Sequence, residues 1–194
     1  MPLTDRLCVL AAIPLEDRGI FLGMGATTMR PGEARACSAE HYNRQTGELW
    51  VGEAMKGYGA GAPRGETKTG DARHYTLGGP AKAWLDARPR ISGPLWPNPR
   101  TGNPYRVGKL EKLWKDACAA AEVDYIAPYP SLRHSPASDL IQGGASYEDV
   151  AALMGHSSSR TTAQVYDLSK DARRAELGAR LVDLEHSHSA LDPP

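Results

Sequence analysis

No CxxC pair, no apolar run long enough to cross a bilayer and no excess of either charge occur in this chain. Cys8, Cys37 and Cys118 lie far apart, which argues against a disulfide framework or a zinc site and suits a reducing cytosol. Nothing approaches the roughly eighteen consecutive apolar residues of a spanning helix. Met1 to Leu10 has no basic stretch leading into an apolar core, so the expectation is no secretory signal, no membrane and a cytoplasmic setting. Lys plus Arg and Asp plus Glu both total 23, so net charge gives no global hint of a polyanionic partner. The P-loop pattern GxxxxGKS/T, a carboxylate pair and a Cys/His cluster with metal-ligand spacing are also missing. Nucleotide, glycosidase and metal-site motifs are thereby excluded.

What is present suits one good-sized core. The chain has 194 residues, 41% hydrophobic and 24% charged, as expected of a globular domain. Its charge is unevenly spread. Residues 61–115 carry eleven Lys/Arg against four acids, a balance of +7, whereas residues 116–194 carry six against twelve. A basic middle suits contact with phosphates as well as an ordinary solvated surface.

Periodicity predicts an α+β protein, mainly α: about seven helices with a small antiparallel, three-stranded sheet. "LTDRLCVLAAI" reads as a short helix capped by Thr4, and "EDRGIFLGMGATTM" as a second. Pro31 suits the first turn of another. "ELWVGEA" and "ARHYTL" read as strands, joined by the glycine-rich "KGYGAGAPRGETKTGD", expected to be a flexible connection with a turn near Thr69-Gly70. "PAKAWLDARPR" reads as a helix and "SGPLWPNPRTGNP" as a loop. The clearest helix is "VGKLEKLWKDACAAAEV", with Leu110, Leu113, Trp114 and Ala117 on one face. "SDLIQGG" ends a helix on Gly143 or Gly144, and "SYEDVAALMG" opens one with a Ser146–Asp149 capping box. A last amphipathic helix is expected over "SKDARRAELGARLVDL", then a disordered tail over 185–194.

Four short motifs carry chemistry: "MRPGEA" (Arg30, Glu33), "TKTG" (Lys68), "LRHS" (Arg133, His134) and "MGHSS" (His156). Tyr166 follows the last by ten residues. Guanidinium forks match the oxygens of a phosphorane intermediate, and cations can do there what Mg²⁺ does elsewhere. A phenol with pKa about 10 becomes a useful nucleophile when cations stabilise its phenolate. A lysine or histidine can protonate the leaving oxygen. The set suits phosphoryl transfer without a metal.

In order and spacing, "RPGEA", "TKTGDARHYTL", "SLRHS" and "LMGHSSSRTTAQVY" resemble the catalytic domain of the tyrosine recombinases, in particular phage-type integrases. The resemblance runs from about Leu3 to about Leu184. It implies that residues 1–184 form that catalytic domain, that 185–194 are tail, and that the N-terminal core-binding domain of the family is absent. It implies site-specific recombination or integration on double-stranded DNA by a phage or mobile element, without cofactor or metal. A homo-tetramer would act on paired sites, with the isolated domain monomeric, and the helix after Tyr166 would pack on a neighbouring protomer. Tyr166 would attack the phosphodiester to give a 3′-phosphotyrosyl intermediate and a free 5′-hydroxyl. Arg30 and Arg133 would grip the non-bridging oxygens, Lys68 would protonate the 5′-oxygen and His156 would hydrogen-bond the phosphate. Glu33 would hold a neighbouring side chain in place, and His134 reads as structural. The tryptophans Trp50, Trp84, Trp96 and Trp114 read mostly as core rather than as a base-stacking platform.

Two positions depart from the resembled pattern. Where it reads H-x-L-R-H-T/S, this chain has Pro130-Ser131-Leu132-Arg133-His134-Ser135, so a proton-transfer histidine is replaced by Pro130. Such groups contribute roughly 10²–10⁴ in rate, which predicts slower cleavage. The alternative is a degenerate DNA-binding module of the same fold with little or no cleavage; a third is a type IB topoisomerase. Pro136 stands where an aromatic is usual. It falls inside a helix if Ser131 is the cap, and in the first turn if Ser135 is.

Overall fold

The computed structural model describes residues 1–89, 92–156 and 158–166. The expected helix after Tyr166 and the expected tail lie outside the described residues. Helices α1 (Leu3–Ala12), α2 (Arg18–Thr27) and α5 (Val107–Ala120) enclose the main core, with α3 (Pro31–Ala36) and α4 (Gly79–Asp86) against α2. Val9, Ile13, Ile20, Phe21, Met24, Leu110, Leu113 and Trp114 are buried there, and Phe21 stacks on Trp114 with centroids 5.7 Å apart. The spacing of apolar residues in α5 therefore marks the face it buries. Trp84, Trp96 and Trp114 are core residues, while Trp50 packs edge-on against His41. Glycines inside α2 let two of these indoles approach: a Cβ on Gly19 would meet the Trp84 ring, and one on Gly23 the Trp96 ring.

A second, smaller cluster (Ala137, Ile141, Val150, Met154) joins α6 (Ser135–Gln142) to α7 (Tyr147–Met154), and α8 (Ser159–Tyr166) packs on α7. The Ser146 hydroxyl caps α7 by accepting from the Asp149 N–H at 3.0 Å, as the capping box requires. Gly144 follows α6 with φ 100°, the left-handed geometry expected of a glycine stop. α1 begins after Pro2 without a side-chain cap, so Thr4 lies inside it. Arg6, buried in α1, pairs with Asp139 of α6.

The sheet is not the expected single three-stranded one. β1 (Glu48–Val51) pairs antiparallel with β4 (Arg73–Thr76), and β2 (Glu53–Met55) with β3 (Arg64–Glu66), as two two-stranded ladders. Glu53 faces Glu66, so an unbroken ribbon would set Val51 opposite Lys68. It faces Arg73 instead. Residues 67–72 leave the ribbon as a short excursion, and Lys68 sits on it. Arg64 to Glu66, expected as part of a flexible connection, is strand because it has Glu53 to Met55 to pair with.

Candidate active site

Arg30 is the N-cap of α3, with Pro31 in the first helical turn, where its missing N–H costs nothing. Glu33, three residues on, closes a box: one carboxylate oxygen accepts from the Arg30 backbone N–H at 2.8 Å and the other from its guanidinium at 3.0 Å. Glu33 is 1% exposed. A carboxylate so buried needs cations, and it has a second: Arg73 Nη2, from β4, lies 2.8 Å from the same Oε1. Burial pushes the Glu33 carboxyl up, but Arg73 and the Arg30 N–H outweigh it and hold it below the usual range. Glu33 thus holds Arg30 in place, as expected of it, and ties α3 to the sheet.

Arg133 arrives on a different device. The helical backbone from Pro128 widens into a π-turn over Pro130–His134 before α6 begins, and the Ser135 N–H donates to Pro130 O. Neither serine expected as a cap is one: Ser131 Oγ donates back to Ile126 O at 3.1 Å, and Pro136 lies in the first turn of α6. A proline lacks the N–H and crowds the carbonyl four residues before it; the wider turn accommodates both effects. The result sends Arg133 inward, fully buried. Its guanidinium donates to Thr28 O and, at 2.8 Å, to Met154 O. Its Nε–H has no acceptor among the described residues.

Met154 O, at the end of α7, also accepts from Arg73 Nη1 at 2.8 Å. Gly155 then turns left-handed, φ 62°, with the Arg73 guanidinium against the space a Cβ would fill. This turn delivers His156, whose Nδ1 shares a 2.8 Å hydrogen bond with the buried Thr162 hydroxyl of α8. Partial burial, then the charges of Arg133 and Arg30, His134 and Arg73, depress the His156 pKa to about 4. The imidazole is therefore neutral at pH 7, donating through one nitrogen and accepting through the other. His134 packs edge-on to Tyr129, 5.2 Å between centroids.

Arg30, Arg133 and His156 are thus brought together from three segments. Arg73, which the sequence reading left inside a strand, stands between them as a third guanidinium. It lies within "TKTGDARHYTL", where Lys68 alone is given a role; the alternation of "ARHYTL", which sets Arg73 and Tyr75 on one side of the strand, is the signal that it faces inward. Lys68 is exposed on the Thr67–Gly70 turn, which Gly70 N–H closes onto Thr67 O. It takes no part in the bonds that join the other groups. Tyr166 ends α8, one turn beyond Thr162; its side chain is outside what is described. Chemically, the described cluster suits an anion with several oxygens: guanidiniums of fixed direction, an unanswered Nε–H and a neutral imidazole. Among the described residues no group of three His, Cys, Asp or Glu could hold a metal ion, and no helix is long and apolar enough to cross a membrane.

A family model described as "Phage integrase family" matches residues 3–173. "Tyrosine recombinase XerC" of Corynebacterium glutamicum is 32% identical over 110 residues, 55% of this chain and 33% of that protein. The chain spans roughly a third of the length of the curated relatives it matches. Among solved structures, the Tn1549 transposon integrase in complex with a circular intermediate DNA is similar with TM-score 0.74 at 16% identity, over 92% of this chain and 65% of that one. The XerA recombinase is similar too, with TM-score 0.71 at 15% identity, over 93% of this chain and 62% of that one. At such identities the structural likeness is one of fold.

Proposed function

This chain belongs to the phage integrase family, and on that premise we propose that it is the strand-cleaving domain of a tyrosine recombinase acting on double-stranded DNA. The domain would extend over residues 1–184. Arg30 and Arg133 bind the non-bridging oxygens of the scissile phosphate, and neutral His156 donates a hydrogen bond to it. The Tyr166 phenol loses its proton to water and its oxygen bonds to phosphorus as the bond to the 5′-oxygen breaks. Lys68, on its exposed turn, swings in to protonate that oxygen. The product is a 3′-phosphotyrosyl end and a free 5′-hydroxyl; attack by a 5′-hydroxyl from a partner site reverses the chemistry and exchanges strands within a homo-tetramer. No metal or nucleotide cofactor enters this scheme.

The observation that carries the reading is the convergence of Arg30, Arg133 and a neutral His156 through Glu33, Arg73 and the Met154 carbonyl. A duplex nicked beside the scissile phosphate traps the intermediate, because the released fragment diffuses away. Wild-type protein should give a band of covalent protein–DNA on a denaturing gel, and Tyr166→Phe should give none. Binding without any adduct would instead make the chain a non-cleaving DNA-binding relative, the reading that Pro130 favours.

A further inference from the structure

Arg35 is a buried cation that the chemistry above does not use. It is 3% exposed, and its contacts are carbonyls rather than a carboxylate: Tyr105 O and Gly57 O at 2.6 Å, and Gly59 O. Burying a guanidinium costs free energy unless its donors are answered. Here two of the three answers come from the loop between β2 and β3. The Val107 N–H, opening α5, fastens the same loop by donating to Tyr58 O at 3.0 Å. A glycine-rich segment that composition predicts to be flexible is therefore pinned at residues 57, 58 and 59. What the pinning presents is Tyr58, 81% exposed, the most exposed of the large apolar side chains among the described residues.

Fixing a loop in order to hold an aromatic ring in water gains nothing for the fold, whereas it lowers the ordering cost of a later contact. Lys56, Arg64 and Arg106 are exposed around the loop and Lys109 half-buried, with Glu53 and Glu66 as nearby acids and Glu53 already turned to Arg64 at 3.8 Å. The first turn of α5 holds no acid. α3 links this loop to the reaction centre: Arg30 opens it, Arg35 lies in its last turn, and Met55 O lies against Gly32 between them. Five residues of helix rise about 7.5 Å, so one short helix carries both the arginine of the phosphate site and the arginine that pins the loop.

We propose that Tyr58 is a preorganised DNA contact, its ring packing against the sugars of the duplex backbone while the surrounding cations meet its phosphates. This rests on the reading of the chain as a DNA-cleaving domain. The contact is apolar and tolerant of sequence, since every nucleotide carries the same sugar and only base edges differ. Binding to a mixed-sequence linear duplex, followed by fluorescence anisotropy across a salt series, tests it. Tyr58→Ala should weaken binding about tenfold, the loss of one partly buried aromatic ring, with the slope of log affinity against log salt unchanged, and Tyr58→Phe should restore it. Arg106→Ala, by contrast, should flatten that slope by about one phosphate contact. Equal affinity of Tyr58→Ala and wild type overturns the proposal and leaves the proposed function standing, as does an effect on protein self-association alone. A changed slope in Tyr58→Ala overturns it too, because the contact would then be electrostatic. If wild type binds no duplex at all, the proposed function falls and takes this inference with it.

Discussion

At the scale of single residues, the site is governed by which groups are charged. His156 keeps a neutral ring because burial and the surrounding guanidiniums lower its pKa from the usual 6.5 to about 4. Above pH 6.5 neither the folded nor the unfolded chain protonates it. Between 6.5 and about 4 the unfolded chain takes a proton that the folded ring refuses, so stability falls as pH falls through that window. The depressed carboxyl of Glu33 acts in the same direction at more acid pH. Urea midpoints measured from pH 7 to pH 4 should therefore decline, and His156→Gln should decline less steeply; identical slopes would contradict the neutral ring. Glu33 supports a sharper expectation. It is a buried carboxylate between two guanidiniums, and removing one partner of a buried charge network costs about 3–5 kcal/mol. Glu33→Ala should lose stability of that order by chemical denaturation, whereas Arg30→Ala, which leaves Arg73 on the carboxylate, should lose less. Arg30→Ala and Arg133→Ala should each slow adduct formation by at least about 10²-fold, the usual effect of removing a donor to a developing anion.

At the scale of elements, the backbone at α7's end does the positioning. One carbonyl, Met154 O, answers two arginines, and the left-handed residue after it turns the chain so that His156 joins them. Gly155→Ala adds a left-handed penalty of about 1–2 kcal/mol and drives its methyl into the Arg73 guanidinium. Its urea midpoint should drop by more than the backbone term alone; a drop no larger than that term would contradict the contact with Arg73. Much at this scale was legible. Amphipathic spacing marked α5, the Ser146 box marked α7, and three of the four motifs held residues that the structure brings together, Arg30, Arg133 and His156. The ladder of "RGE" on "EAM" was not legible, because neither segment has β-branched or aromatic residues to announce a strand. Nor was the π-turn, which settles the Pro136 ambiguity by a route that neither serine cap offered. Arg73 and Arg35 stayed hidden for a common reason: an arginine's partners here are carbonyls and a carboxylate supplied by distant segments, and backbone acceptors leave no trace in sequence.

At the scale of the whole molecule, a basic middle segment, an acidic C-terminal segment and a slightly acidic first 60 residues sum to no net charge. Duplex binding by this chain should weaken steeply with salt, by a slope of about 0.9 per phosphate neutralised, despite the neutral total. Salt-independent binding would argue against phosphate contacts altogether. The central claim concerns the bond made at Tyr166, and mass spectrometry of a trapped protein–DNA adduct tests it most directly. After protease and nuclease digestion, the account predicts a nucleotide joined through its 3′-phosphate to the peptide that holds Tyr166, with fragment ions placing it on that residue. A nucleotide carried by any other side chain, or DNA cleaved with no peptide attached, would contradict it.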